Sequence, residues 1–60
     1  MNFAEKLLNL RVENGYSQEA LAEKLDVSRQ AISKWELGTN LPETDKLILI
    51  SDFFNISIDY

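Results

Sequence analysis

Apolar residues recur along this chain at intervals of three and four positions, the spacing of one face of an α-helix. The first row, Phe3, Leu7 and Leu10, predicts a helix over about 2–13. The asparagine that opens this segment is suited to cap a helix start, and Gly15 suits the left-handed backbone that ends one. The chain is therefore expected to begin with an amphipathic helix.

A shorter pattern starts just after Ser17, another residue suited to cap a helix. It predicts a second helix over 18–25, with Leu21, Ala22 and Leu25 buried. The small side chain of Ala22 allows a following helix to approach this one closely.

A third helix is predicted over 29–37, capped by Ser28, with Ile32 and Trp35 facing inward. We interpret Trp35 as a core residue that bridges to the first or fourth helix rather than as a platform for stacking bases. Only about three residues separate the second and third helices, and Asp26 is expected to take the left-handed conformation there. A joint this short makes the helices cross steeply and leaves one face of the third in solvent. That face carries Arg29, Gln30, Ser33 and Lys34.

A fourth helix is predicted over about 43–53, following Pro42 and ended by Asn55. Ser57 would cap a fifth helix that has barely begun at Tyr60, and we expect the native protein to continue beyond it. The pattern predicts one all-α domain over all 60 residues, a compact bundle of four to five short helices. One side of the fourth helix is apolar and carries Leu47, Ile50, Phe53 and Phe54.

The composition argues against several classes of function. The chain has no cysteine and no histidine, which removes disulfides, thiolate metal sites and the commonest general base. Glu43, Asp45 and Asp52 lie at helical offsets that scatter them, which disfavours a cation site. No apolar run approaches the roughly 20 residues that a membrane-spanning helix needs. We therefore expect no enzyme activity, no metal and no cofactor.

The net charge of −4 argues against a nucleic-acid partner, because DNA-binding domains are usually basic. The acidic residues are unevenly placed, however. Residues 17–26 sum to −2 and residues 43–60 to −3, whereas residues 27–42 sum to +1. The third helix therefore lies in the net-positive part of the chain. The remaining lysines are interpreted as plain solvated charges: Lys6, Lys24 and Lys46.

Five residues in the centre of the chain occur together at a characteristic spacing: Gln18, Ala22, Ile32, Trp35 and Glu36. With the segments SQEALAEKL and VSRQAISKWE and the G-x-x-x-P that follows, they make residues 4–58 resemble the phage repressor/Cro-type (XRE-like) helix-turn-helix family. The resemblance implies a lambda repressor-like DNA-binding domain.

Two residues depart from that family's pattern. Asp26 stands where the turn usually has glycine, which mildly strains the turn, and Leu37 stands where a polar asparagine is frequent, which affects one possible contact with the DNA backbone. The resemblance also implies that Arg11 pairs with Glu36 and ties the first helix to the end of the third. A phosphate contact is the alternative for Arg11.

The helix-turn-helix interpretation predicts sequence-specific binding of double-stranded DNA, with the third helix in the major groove. Arg29 is suited to bind guanine and Gln30 adenine in bidentate fashion, and Ser33 and Lys34 are placed to reach a further base or the adjacent phosphate. The predicted phosphate contacts are Gln18, Ser28, Thr39 and Asn40.

We expect a transcriptional repressor that acts as a homodimer on a pseudo-palindromic operator, because one recognition helix contacts too few base pairs for useful specificity. Its expected location is the bacterial or phage-infected cytoplasm, at the nucleoid. The alternative is a protein-interaction module on the same scaffold, part of an antitoxin or a sensor, with weak or no DNA binding. The acidity favours this alternative, and the Arg29/Gln30 pair favours DNA. The candidate dimer surface is Phe53, Phe54, Ile56, Ile58 and Tyr60, side chains that equally suit closing the core.

Overall fold

Four α-helices form the part of the chain that the structure, a computed structural model, describes, residues 2–56. They are α1 (Phe3–Glu13), α2 (Gln18–Leu25), α3 (Arg29–Leu37) and α4 (Thr44–Phe54). Every regular element within this range is a helix, so the predicted all-α fold is confirmed. The predicted fifth helix, from Ser57 onward, lies outside the described residues.

Local capping fixes the ends of α2 and α3, which begin and end as predicted. The hydroxyl oxygens of Ser17 and Ser28 each accept from the backbone N–H three residues on, at 3.0 and 3.1 Å. Asp26 ends α2 in the left-handed conformation, with φ 58° and ψ 47°. Gly15 and Gly38 have φ values of 77° and 79°, a backbone that glycine adopts without steric cost.

The first and last helices, α1 and α4, differ from prediction only at their ends. Asn2 caps α1 by accepting from the N–H of Glu5 at 2.9 Å. α4 begins at Thr44, one residue later than predicted, because Glu43 has an extended backbone, with φ −68° and ψ 163°. It also ends one residue later, where Asn55 takes the left-handed conformation with φ 54°.

The core lies where α3 packs against α1 and α2, and α4 packs against α2. Each helix buries at least one of the side chains that the periodicity assigned to the interior, but in α4 only Ile50 is fully buried. The other assigned residues are half-buried: Leu10, Leu47, Phe53 and Phe54. Because α3 packs against both α1 and α2 in this core, these two helices fix its orientation. The buried residues are Phe3, Leu7, Leu21, Ala22, Leu25, Ile32, Trp35 and Ile50.

Aromatic side chains close the core at the end of α4. The Tyr16 and Phe53 rings lie 5.4 Å apart between centroids, and Phe53 meets Phe54 edge-on at 5.0 Å. Both phenylalanines are half-buried against the core. Part of the candidate dimer surface is thus already packed within the domain, and Ile58 and Tyr60 of that surface lie outside the described residues.

Candidate nucleic-acid interface

The outer face of α3, formed by Arg29, Gln30, Ser33 and Lys34, is turned away from the core. Three of these side chains are exposed and Ser33 is half-buried. The opposite side of the same helix is held in the core, since Ile32 is 0% and Trp35 6% exposed. One face of α3 is therefore polar and faces solvent, while the packing of its opposite face fixes the position of the helix.

Both cations of this outer face are available to a ligand. Among the described residues, neither Arg29 nor Lys34 has an ion-pair partner. The exposed acids of the neighbouring helix, Glu19 and Glu23, belong to the surface of α2. Two positive charges on the outer face are therefore not neutralised by the domain itself.

A buried carboxylate joins α1, α2 and α3 beside the outer face. Glu36 Oε2 accepts from Arg11 Nε at 2.7 Å, and Oε1 accepts from Arg11 Nη2 at 3.1 Å and from Gln18 Nε2 at 3.0 Å. Arg11 Nη1 also donates to the carbonyl of Tyr16 at 3.0 Å. The ion pair that the resemblance implied is present, with the Arg11 and Glu36 side chains 14% and 5% exposed. Arg11 is thereby engaged inside the domain.

Gln18 has a partner that sequence reasoning missed. Its amide was predicted to hold a phosphate, and in the structure the half-buried side chain donates one Nε2 hydrogen to Glu36. An amide carries a second hydrogen and a carbonyl oxygen, both outside this bond. The contact with Glu36 fixes the position of the amide at the start of α2, and its contact with phosphate stays a prediction.

The other residues predicted to contact phosphate lie at the two ends of α3. Ser28 Oγ accepts from the N–H of Ala31, which leaves the hydroxyl hydrogen to donate outward. Thr39 and Asn40 follow the helix and are exposed. Their backbone N–H groups both approach the carbonyl of Lys34, at 3.0 and 3.5 Å, so their side chains are the groups a ligand would meet.

Lys46 makes a contact that sequence reasoning missed. The interpretation of Lys46 as a solvated charge is wrong: it is half-buried, and its Nζ donates to the carbonyl of Leu25 at 3.3 Å, which ties α4 to the end of α2. A cation at a helix C-terminus is favourable, but no local spacing indicated which helix it would reach. Leu37, at the end of α3, is 76% exposed.

Other kinds of site are not found in the part of the chain that the structure describes. Residues 2–56 contain no group of three or more acidic side chains arranged to hold a metal ion. None of the helices in that range has the length and apolar character needed to cross a membrane.

Comparison with protein-family models matches residues 7–60 to a family described as helix-turn-helix. The chain belongs to the helix-turn-helix family. The matched range contains α2, the turn at Asp26 and the whole of α3. The polar outer face described above therefore lies on the second helix of the helix-turn-helix motif, the position of the recognition helix.

Curated regulators from several bacteria are similar to this helix-turn-helix chain. The HTH-type transcriptional activator BcrR of Enterococcus faecalis is 52% identical over 59 residues, which cover 98% of this chain and 29% of BcrR. The HTH-type transcriptional regulator ImmR of Bacillus subtilis is 35% identical over 60 residues, 100% of this chain and 47% of ImmR. The cryptic phage CTXphi transcriptional repressor RstR of Vibrio cholerae is 34% identical over 59 residues, 98% of this chain and 53% of RstR. The chain thus spans less than a third of the length of BcrR and about half of the length of ImmR and of RstR.

Proposed function

We propose that this domain binds double-stranded DNA in a sequence-specific manner as part of a transcriptional regulator, with α3 in the major groove. The observation that carries the proposal is the outer face of α3. This face carries two cations, which no acid of the described residues neutralises, and polar side chains beside them. The other side of the same helix is buried. The names of the similar regulators support the same function.

In this proposal the first turn of α3 provides the base contacts. Arg29 donates to O6 and N7 of a guanine, and Gln30 pairs with N6 and N7 of an adenine. Ser33 and Lys34, one turn further along, reach a third base or the adjacent phosphate. Recognition helices place their N-terminal residues against base edges in this way.

Four neutral side chains position the domain on the DNA backbone. Gln18, held by Glu36, presents its amide beside the start of α2, where the first N–H groups of a helix favour an anion. Ser28 contacts the DNA backbone at the start of α3, and Thr39 and Asn40 contact it just beyond the end of α3. Contacts of this kind set the register and carry no sequence information.

The functional unit that we propose is a homodimer on a pseudo-palindromic operator in the cytoplasm, at the nucleoid. One α3 contacts only a few base pairs, and a two-fold dimer doubles that number over half-sites about one helical turn apart. Ile56 and the exposed edges of Phe53 and Phe54 are the described part of its surface. We propose repression as the outcome, because a dimer seated on a promoter blocks it by occupancy alone. Activation would need a further contact with polymerase.

The test is selection of bound sequences from a random duplex pool at moderate salt, with the domain alone and as two copies joined by a flexible linker. We expect a motif with two inverted half-sites. Arg29→Ala then relaxes one base position by about 1–3 kcal/mol, a roughly 5- to 150-fold loss of discrimination. Gln18→Ala weakens all sequences alike.

Lys24→Ala is the matched control, because it removes an exposed cation from α2 rather than from the outer face of α3. It should leave the selected motif unchanged. Equal, sequence-independent losses from Arg29→Ala and Gln18→Ala would mean that α3 is not the recognition helix. The absence of any enriched motif, even with the linked domains, would contradict DNA recognition.

Two observations favour a second candidate, a protein-interaction module without catalytic chemistry. The domain carries a net charge of −4, and the exposed apolar side chains Val12 and Leu41 are 60% and 61% accessible. In that case the random-sequence selection fails, while the linked and single domains bind the same protein partner. Fold alone does not decide between the two.

A further inference from the structure

The side of α4 that is turned away from the core carries an apolar pair between two acids. Ile48 and Leu49 are 54% and 38% exposed, and Asp45 and Asp52 are exposed as well. Each apolar residue is three or four positions from each acid, so its side chain lies next to both carboxylates. The four residues occupy a sector of ~100°, and the buried Ile50 lies ~150° from its centre. We call this sector the acidic face of α4.

Neither the core nor helix propensity accounts for the apolar pair of this face. α4 packs against α2, and its buried residue is Ile50. Isoleucine forms helices less well than lysine, glutamate or glutamine, so an exposed Ile48 slightly weakens the helix. Burial of Ile48 and Leu49 is stabilising only if another molecule covers them. An apolar cluster with a polar rim is typical of a protein-protein contact.

An open groove extends the acidic face beyond the start of α4. It has a volume of about 340 Å³ and lies between the end of α3, the loop that follows and the first turn of α4. Trp35 and Leu41 form its apolar lining, and Leu41 is 61% exposed. Glu43 and Asp45 line it with carboxylates. Because Asp45 belongs to both, the groove and the acidic face form one continuous surface.

The charge of this surface indicates the chemistry of its partner. Among the described residues, Glu43, Asp45 and Asp52 have no ion-pair partner. The one cation of α4, Lys46, also lines the groove, but its Nζ donates to the Leu25 carbonyl. Three acids and one lysine give the surface a net charge of −2, which repels DNA phosphates. A two-fold contact with a second copy would bring like charges together, whereas a basic partner is attracted.

We propose that the acidic face of α4 and the adjoining groove bind an amphipathic helix of another protein, whose apolar side is flanked by lysine or arginine. The apolar side chains of this helix cover Ile48 and Leu49. Its cations pair with Asp45 and Asp52. A long basic side chain suits the groove, because its methylene groups pack on Leu41 while its charge stays at the rim, beside the carboxylates. These residues are separate from the outer face of α3, so the proposal does not depend on DNA binding.

The probes for the experiment are two fluorescently labelled synthetic helices of about 16 residues, long enough to be helical on their own. Both have leucine along one side. One has lysine at the flanking positions and the other has glutamate there. Fluorescence anisotropy measures the affinity of each helix for the 60-residue chain. We expect the lysine helix to bind at least about tenfold more tightly than the glutamate helix, because like charges across an interface are strongly unfavourable.

A pair of charge variants locates the binding. Asp45→Asn combined with Asp52→Asn should weaken binding of the lysine helix about three- to tenfold, the effect of two exposed ion pairs. Glu19→Gln combined with Glu23→Gln is the matched control, because it removes the same charge from the exposed surface of α2. The control should bind the lysine helix almost as tightly as the unmodified chain.

A second pair of variants tests the apolar contact. Ile48→Gln should weaken binding about tenfold, because one large apolar side chain no longer becomes buried. Val12→Gln is its control, since Val12 is 60% exposed on α1. The substituted side chains in both pairs of variants are exposed, so the urea midpoints should stay close to that of the unmodified chain.

Four results would overturn the proposal. The lysine helix does not bind, both helices bind equally, or the control variants weaken binding as much as the variants of the acidic face do. The fourth result concerns a second copy of the chain as the occupant. If the chain alone forms a dimer in sedimentation experiments, and Ile48→Gln dissociates it while Val12→Gln does not, the acidic face belongs to that dimer.

Discussion

Glu36 joins three helices of this small domain through one carboxylate. Its carboxylate accepts from Arg11 of α1 and from Gln18 of α2, while its own backbone belongs to α3. At 5% exposure it has little water to compensate for a lost partner. Removing one partner of such an ion pair lowers the free energy of unfolding more than replacing both partners does, because one charge is then left buried and unpaired.

We predict that Glu36→Leu lowers the free energy of unfolding by about 2–4 kcal/mol, slightly below the range for fully buried pairs, because Arg11 is partly exposed. The double variant Arg11→Met, Glu36→Leu should lose less than this single one, since no buried guanidinium remains unpaired. Trp35, the single tryptophan, reports urea unfolding by its fluorescence. Effects of Arg11→Met and Glu36→Leu that simply add in the double variant would show that the pair is not coupled.

At the scale of single residues, sequence reasoning found the exposed side chains and, through the family resemblance, the Arg11–Glu36 ion pair, but it missed the other long-range polar contacts. Arg29, Gln30 and Lys34 follow from periodicity, and the structure exposes them. The bonds from Gln18 to Glu36 and from Lys46 to the Leu25 carbonyl join positions 18 and 21 residues apart. Periodicity and spacing carry no information about such contacts, because they depend on how separate helices are placed.

At the scale of the helices, boundaries were predictable wherever a cap is local. Ser17, Ser28 and Gly38 each act on backbone groups within a few residues, and α2 and α3 begin and end as predicted. α4 begins one residue later than predicted, where its N-cap Glu43 makes no side-chain hydrogen bond to mark the start, and it also ends one residue later, at Phe54. The recognition element was thus predicted more accurately than the helix that supports it.

The turn between α2 and α3 offers a stability test, since Asp26 has φ 58° without being glycine. We predict that Asp26→Gly stabilises the domain by about 0.5 kcal/mol, because relief of the left-handed strain slightly exceeds the extra entropy of a glycine in the unfolded chain. Asp26→Val should destabilise it by about 1–2 kcal/mol, since a β-branched residue is disfavoured at this φ. Urea midpoints for the two variants measure both effects. A loss of stability in Asp26→Gly would mean that the aspartate side chain contributes more than the strain costs.

At the scale of the whole molecule, the domain combines an acidic surface with a contact set that is mostly neutral. The net charge of −4 opposes long-range attraction to DNA. Four of the proposed contacts, Gln18, Ser28, Thr39 and Asn40, carry no charge, so they position the protein without releasing counterions. The outer face of α3 supplies the two cations, Arg29 and Lys34. Most of the proposed affinity therefore depends on short-range hydrogen bonds rather than on long-range attraction.

This balance predicts a weak dependence of DNA affinity on salt. Each neutralised phosphate contributes about 0.9 to the slope of log affinity against log salt, so two cations per protomer give a slope no steeper than about −2 per half-site. Lys34→Gln should flatten the slope by about 1 per half-site, whereas Gln18→Ala should lower affinity at every salt concentration and leave the slope unchanged. Titrations of the selected operator over a range of about 50 to 200 mM salt distinguish the two variants. A slope of about −4 or steeper per half-site would contradict the proposed contact set, because it would require lysines of the other helices to reach the DNA.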